Sequence, residues 1–284
     1  MNQLPVVRIK FSEDQPRADN GEWTDGGGGG GSSSDKPSTP SVVAGSHAER
    51  VADYKKKLAD IGIHSVTVET GVTEERAAMV LGEAHAVLSS LAVDPVVAAA
   101  IKTGPMNTSG MSLVIGAGKS VSHPDHEGEA KKALAFYNKN DNSITMAGGL
   151  TKTRETSKPS VGTGSFVVGT DMRTVIAHEV GHAVSGKLAI AASKAGASRV
   201  GAELFNSRPK DYWRKSISGY AGTNPREFMA EAFAAYTHPG YGQGKSLPSD
   251  VVSVFEKAGL KSNIRKDYGC AQCVVVRIKQ LGGA

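Results

Sequence analysis

Cysteine, aromatic residues and long apolar runs are all scarce in this chain of 284 residues. The two cysteines, Cys270 and Cys273, form one Cys-x-x-Cys pair, but a zinc ribbon needs two further ligands of this kind. We interpret them as free thiols of a reducing compartment. Aromatic residues make up 6%, which gives no stacking platform for nucleic-acid bases. No apolar run approaches the roughly 18 residues of a membrane-spanning helix.

Positive charge is present without being concentrated. The net charge of +5 is spread along the chain, which gives slight support for acidic partners and no strong nucleic-acid signal. Residues 1–10 lack the apolar segment of a secretory signal peptide. We therefore expect residence in a cytoplasm or packaging into a particle.

The sequence predicts that both ends of the chain lie outside the folded domain. Six glycines at Gly26–Gly31, followed by serine and proline, predict a flexible linker within a disordered tail over residues 1–45. The predicted domain covers 46–268, with its core at about 105–240, and a C-terminal tail or strand covers 269–284. Val-Val-Arg-Ile-Lys occurs at both Val6–Lys10 and Val275–Lys279. The two copies are either docking tags for a partner or, as we prefer, two terminal strands or a coincidence.

The segment 178–182, His-Glu-Val-Gly-His, carries the most specific chemistry. Residues four apart on a helix share one face, so His178 and His182 can bind one tetrahedral Zn²⁺ ion. Glu179 lies beside the first ligand, where a carboxylate reaches a metal-bound water. The alternative is a surface helix with two solvated histidines.

The helix around this motif has its own signals. Thr170 and Asp171 are residue types that cap a helix N-terminus. Gly181 costs about 1 kcal/mol relative to alanine inside a helix. This cost is tolerable if another backbone or a substrate must approach closely at Gly181.

Two histidines do not complete a zinc site, so a third protein ligand is needed. Ser185 and Leu188 occupy the positions where one metallopeptidase class has glycine and a third histidine, so that class is excluded. The downstream stretch 218–236 predicts a helix that begins at Asn224-Pro225 and carries Glu227 and Glu231 on one face. Buried carboxylates need partners, and a metal ion with its imidazole ligand would supply them.

Together, the 178–182 motif and the segment Tyr220–Phe233, Tyr-Ala-Gly-Thr-Asn-Pro-Arg-Glu-Phe-Met-Ala-Glu-Ala-Phe, resemble the catalytic domain of anthrax lethal factor and its relatives. These are zinc peptidases of the gluzincin type. The resemblance covers roughly residues 130–240 and departs from the family at Ala221, where glycine is frequent. It implies that His178, His182 and Glu227 bind zinc and that Glu179 is the general base. It also implies that Tyr220 donates to the oxyanion and that Glu231 orients the ring of His178.

Two alternatives stay open for the carboxylates. Asn224-x-x-Glu227 also fits a capping box, in which Glu227 only closes the start of its own helix. Glu231 would then be an ordinary surface residue.

Residues 135–149 predict a strand, a turn over Asn138–Asn142 and a second strand. In the related peptidases an edge strand before the active helix binds the extended substrate through its backbone. The candidate for this edge consists of Ser143, Ile144, Thr145, Met146 and Ala147. The alternative is a plain sheet strand whose edge is covered.

The remaining patterns predict an α+β fold, with a small sheet packed on the active helix and the Glu227 helix behind it. Predicted helices cover Glu49–Leu58, a segment from Glu75 to Leu91 capped by Thr73, a segment ending at Lys102 capped by Asp94, and Ala189–Phe205. Predicted strands cover Ser65–Glu69 and Met111–Ile115.

Residues Asp14–Asp25 resemble short segments of bacteriophage head and portal-associated proteins. The function expected is a zinc-dependent endopeptidase that hydrolyses peptide bonds through a zinc-bound water, in phage head maturation or on a host protein. The expected locations are the host cytoplasm or the virion, with a protein or peptide substrate, no membrane, and capsid or head proteins as partners of the tails. Alternatives are a virion structural or interaction protein with a non-catalytic zinc site, and an amidase of non-peptide substrates.

Overall fold

The computed structural model describes residues 46–104, 109–118, 120–122, 132–150 and 158–260, which belong to one unit of the chain, Gly45–Ala284. The predicted tail, the predicted C-terminal segment, both cysteines and both copies of Val-Val-Arg-Ile-Lys lie outside the described residues.

Side-chain caps fix where the first three helices begin. Ser46 and Glu49 form a capping box at the start of α1 (His47–Asp60). Thr73 accepts a hydrogen bond from a backbone N–H of α2 (Glu74–Leu91), and Asp94 accepts two from α3 (Pro95–Lys102). These three helices confirm the predicted ones.

The main sheet has four strands, of which only one is antiparallel to its neighbour. In chain order they are β1 (Ser65–Val68), β2 (Ser112–Gly116), β5 (Ala135–Asn138) and β6 (Ser143–Ala147). Their order across the sheet is β1-β2-β6-β5, and β5 pairs antiparallel with β6. A separate antiparallel pair joins β3 (Val121–Ser122) to β4 (Lys132–Ala133). Strand β5 is therefore one edge of the main sheet.

The prediction that 143–147 form an exposed edge is wrong. Strand β6 pairs in parallel with β2 on one side and antiparallel with β5 on the other. Its backbone groups are used within the sheet and cannot pair with another chain. The alternative of a plain sheet strand with a covered edge is confirmed for Ser143, Ile144, Thr145, Met146 and Ala147.

The long helix α4 (Met172–Lys194) contains the His-Glu-Val-Gly-His segment, and Asp171 caps its N-terminus by accepting from Thr174 N–H. The prediction of one helical stretch over Ala189–Phe205 is wrong. Helix α4 ends at Lys194 because Gly196 follows with a φ of +79°, a conformation that terminates helices. A separate short helix, α5, covers Gly201–Asn206.

After α5 come α6 (Lys210–Ser216), a 3₁₀ turn (Tyr220–Gly222), α7 (Pro225–Thr237) and α8 (Ser249–Lys257). Every residue of α7 from Phe228 to Thr237 is buried, so this helix lies in the centre of the core. The described residues therefore form the mixed α+β fold that the sequence predicts. None of the described helices combines the length and apolar composition needed to cross a bilayer.

Helices α4 and α7 touch at Gly181. A Cβ atom on Gly181 would lie 2.9 Å from Ala230 Cα and 3.1 Å from the Ala230 carbonyl oxygen. The close approach of another backbone, one of the two possibilities considered from the sequence, is confirmed. It sets how far the ligands on α4 lie from those on α7.

Replacing Gly181 with alanine should therefore destabilise the protein, although alanine is the better helix former. Overpacking of this kind costs about 1–3 kcal/mol, which outweighs the roughly 1 kcal/mol gained in helix propensity. Differential scanning calorimetry should show a lower Tm for Gly181→Ala. Gly186→Ala is the matched control on the same helix, because its Cβ would meet no atom within 4 Å and should raise the Tm. A Gly181→Ala variant as stable as Gly186→Ala would contradict the close contact between α4 and α7 at this position.

Candidate metal centre

Three ligand atoms converge where α4 meets the first turn of α7. His178 Nε2 and His182 Nε2 are 3.1 Å apart, and Glu227 Oε2 is 3.2 Å from each of them. These three residues form a group that can hold a metal ion, as the sequence predicts.

The size and chemistry of this triangle suit zinc. Zinc bonds of 2.0–2.1 Å in a tetrahedral arrangement place ligand atoms about 3.3–3.4 Å apart. Imidazole ligands disfavour calcium and magnesium, which prefer oxygen. Within the described part of the chain, no donor meets the buried Glu227 Oε2 with good hydrogen-bond geometry. A cation between the three atoms would give this oxygen its partner.

Burial distinguishes this site from a solvated pair of histidines. The side chains of His178, His182 and Glu227 are 12%, 10% and 16% exposed, so the surface-helix alternative is wrong. Burial acts to raise the pKa of Glu227, but its contacts with the two imidazoles outweigh that effect and hold the pKa below its ordinary value. Glu227 is therefore ionised, as a metal ligand must be.

Asn224 leaves Glu227 available for this role. The Asn224 side chain accepts hydrogen bonds from the N–H groups of Arg226 and Glu227 at 2.9 and 3.1 Å, and so caps α7. The Glu227 carboxylate instead faces the imidazoles. The capping box considered from the sequence is thus replaced by a cap from Asn224 alone, and Glu227 is free to act as a candidate ligand.

Glu231 contacts the ring nitrogen of His178 that faces away from the triangle. Its Oε1 lies 2.8 Å from His178 Nδ1, which leaves Nε2 facing the other two ligand atoms. Its Oε2 accepts from Val168 N–H at 2.8 Å and from the Ser218 hydroxyl at 2.7 Å. Glu231 is 2% exposed, so the surface alternative is wrong. These contacts fix the carboxylate, and the carboxylate in turn fixes the orientation of an imidazole ligand.

Glu179 is buried beside the triangle. Burial raises its pKa, and the two nearby imidazoles oppose that rise. The backbone N–H of Tyr137 donates a hydrogen bond to its carboxylate, which fixes the carboxylate against β5. A carboxylate whose pKa is raised toward neutrality is suited to take up and release a proton.

Tyr220 covers the other side of His178. The two rings are nearly parallel, at 15° with centroids 5.8 Å apart, and the Tyr220 hydroxyl bonds to Glu227. Burial, followed by the charges of the three carboxylates, raises the pKa of Tyr220. The hydroxyl therefore keeps its proton and serves as a hydrogen-bond donor.

The edge strand β5 packs against α4, the helix that carries the motif. Ala147 N–H donates to Leu134 carbonyl across the ladder, and antiparallel pairing alternates from residue to residue. The N–H and C=O groups of Ala135 and Tyr137 therefore point away from β6. The hydrogen bond from Tyr137 N–H to Glu179 agrees with that direction.

The site thus brings together His178, Glu179, His182, Tyr220, Glu227 and Glu231, and does not include the 143–147 strand. Sequence reasoning missed Tyr137, Val168 and Ser218. The first two act through backbone N–H groups, which no motif reports. Ser218 opens the stretch that contains Tyr220, but a lone serine carries no signal of its own.

Comparison with models of protein families and with curated protein sequences gives no match.

If the triangle binds metal, gently purified protein should contain about one zinc ion per chain by plasma mass spectrometry. Replacing His178, His182 or Glu227 with alanine should remove that zinc, because two ligands hold the ion far more weakly than three. His64→Ala is the control, since His64 is exposed and outside the triangle. Zinc retained in all three ligand variants would show that the ion binds elsewhere.

Proposed function

We propose that this protein is a zinc-dependent endopeptidase of the gluzincin type. The observation that carries the proposal is the triangle of His178, His182 and Glu227 with the buried carboxylate of Glu179 directly beside it. Support also comes from Glu231, which contacts His178 Nδ1, and from Tyr220, whose ring stacks on His178, because both contacts are compatible with the roles that the resemblance to the lethal factor catalytic domain implies.

The ligand set fits the catalytic use of zinc. Three protein ligands, two imidazoles and one carboxylate, are typical of catalytic zinc sites. When bound, zinc supplies a Lewis acid that acidifies water and polarises a carbonyl group. Glu231 and its hydrogen bonds keep the His178 ring in the orientation that such a ligand requires.

The remaining residues handle protons and developing charge. Glu179 takes a proton from the attacking water and delivers it to the leaving amine. Tyr220 donates its hydroxyl proton in a hydrogen bond to the oxyanion that forms as the peptide carbonyl is attacked. Its hydrogen bond to Glu227 holds the hydroxyl close to the ligand triangle before a substrate arrives.

A peptide is the substrate that the neighbouring edge strand favours. Strand β5 is an edge of the main sheet, and the outward N–H and C=O of Ala135 and the outward C=O of Tyr137 can pair with an extended chain, while the Tyr137 N–H is used by Glu179. We propose residues 135–138, in place of the 143–147 strand expected from the sequence, as the strand that binds the substrate. A backbone edge of this kind favours peptides over the non-peptide amides considered from the sequence. Contacts of the terminal segments with phage head proteins stay a prediction.

Glu179→Gln tests the general base. The amide cannot accept a proton, whereas the ligands are untouched, so the variant should keep its zinc and lose hydrolysis. The measurement is a proteome-wide cleavage profile of wild type against the variant, with zinc content determined in parallel. Glu203→Gln is the matched control, because Glu203 is exposed on α5 and should leave the profile unchanged.

The outcomes separate the candidate functions. Activity that survives in Glu179→Gln would remove Glu179 as base. If the wild-type protein contains zinc but its cleavage profile equals that of Glu179→Gln, the alternative of a virion protein with a non-catalytic zinc site is favoured.

Tyr220→Phe tests the oxyanion donor. The phenylalanine ring keeps the stacking on His178 but lacks the hydroxyl, so kcat should fall by about 10²–10³-fold while KM and zinc content stay near wild type. Steady-state kinetics on a cleaved peptide measure the change. Tyr212→Phe serves as the control, since Tyr212 lies on α6 against Arg208. An unchanged kcat in Tyr220→Phe would exclude the hydroxyl from the reaction.

A further inference from the structure

Ser218 links two parts of the metal centre through a single hydroxyl group. The residue is fully buried, at 0% exposure. Its hydroxyl donates to Glu231 Oε2 at 2.7 Å and accepts from the N–H of Ala221 at 3.1 Å. Because a carboxylate only accepts and an amide N–H only donates, the direction of both bonds is fixed.

The two partners of Ser218 lead to different functional groups. Glu231 contacts His178 Nδ1 and so orients a metal ligand. Ala221 is the residue after Tyr220 in the 3₁₀ turn, so its N–H fixes the backbone that presents the tyrosine ring. Through Glu231 and Ala221, the Ser218 hydroxyl thus connects the imidazole of His178 with the Tyr220 ring that stacks on that imidazole.

Glu231 Oε2 is held from two separate segments. Val168, in the segment before α4, donates its N–H, and Ser218, in the segment before the Tyr220 turn, donates its hydroxyl. Without Ser218 the oxygen keeps one donor, and the carboxylate gains freedom to rotate about its side-chain bonds. That rotation would loosen the contact between Oε1 and His178.

We propose that Ser218 is a positioning residue for metal binding, which acts through Glu231 on His178 and through Ala221 on the turn that carries Tyr220. The inference rests on the metal site of the proposed function and requires no peptide hydrolysis. No ligand atom comes from Ser218 itself.

Ser218→Ala and Ser216→Ala form the matched pair that tests this role. Ser216 is two residues away, and its hydroxyl donates to the Tyr212 carbonyl at 2.7 Å without contact to Glu231. The zinc dissociation constant, measured by competition with a chromophoric chelator, should rise roughly tenfold in Ser218→Ala and stay at the wild-type value in Ser216→Ala. Tenfold is the lower end of the change of about 10–100-fold that outer partners of metal ligands produce, because Val168 still holds Glu231.

A spectroscopic readout reports the ligand geometry directly. The visible absorption bands of the cobalt(II)-substituted protein should shift in Ser218→Ala and not in Ser216→Ala. In a Glu231→Ala background, adding Ser218→Ala should weaken zinc binding no further, because the path through Glu231 is already removed. Fully additive losses would overturn the proposed route to His178.

A second pair covers the case in which Ser218→Ala does not fold. The side chains introduced by Ser218→Thr and Ser218→Val have the same shape, but only threonine has a hydroxyl. The Ser218→Thr protein should therefore bind zinc more tightly than the Ser218→Val protein. The proposal would be overturned if the two variants had equal zinc affinity and equal cobalt spectra. The same result for Ser218→Ala and wild type would overturn it too, even if hydrolysis is intact. A wild type that binds zinc but cleaves no peptide would remove the proposed function and leave this comparison valid.

Discussion

The crossing of α4 and α7 at Gly181 and Ala230 is the contact on which the candidate metal centre depends. His178 precedes the crossing on α4 and His182 follows it directly, while Glu227 lies about one turn before Ala230 on α7. The separation of the helices at this point therefore sets the 3.1–3.2 Å triangle of ligand atoms. A larger side chain at either position would move both imidazoles away from the carboxylate together.

Three carboxylates lie within the low-dielectric interior of this site, and each is stabilised in a different way. Glu231 Oε2 accepts hydrogen bonds from a backbone N–H and a hydroxyl, and its Oε1 lies 2.8 Å from an imidazole nitrogen. Glu227 faces two imidazoles, and its pKa is lowered. Glu179 has one backbone donor, and its pKa is raised by burial. Three chemically identical groups thus have different environments, which suit the proposed roles of an orienting residue, a metal ligand and a proton acceptor.

The helix starts, which local chemistry determines, could be predicted from the sequence, whereas the strand order, which long-range pairing determines, could not. Thr73, Asp94, Asp171 and Asn224 cap the predicted helices because a side-chain oxygen reaches the first N–H groups without help from the rest of the fold. Alternation predicts the strand 143–147, but its place between β2 and β5 depends on pairing with residues distant in sequence. Gly196 marks the end of α4, and the alanine-rich composition around it conceals that signal. The donors to Glu231 and Glu179 come largely from the backbone, where residue identity gives no information.

The two unspecified positions of the His-Glu-x-x-His motif are not free in this protein. Val180 is fully buried in the core, and Gly181 admits no side chain against Ala230. Transplanting only the two histidines and the glutamate onto another helix would therefore carry the ligands without the fit that brings the third one to them. In this chain the motif determines how two helices pack, in addition to supplying candidate metal-binding groups.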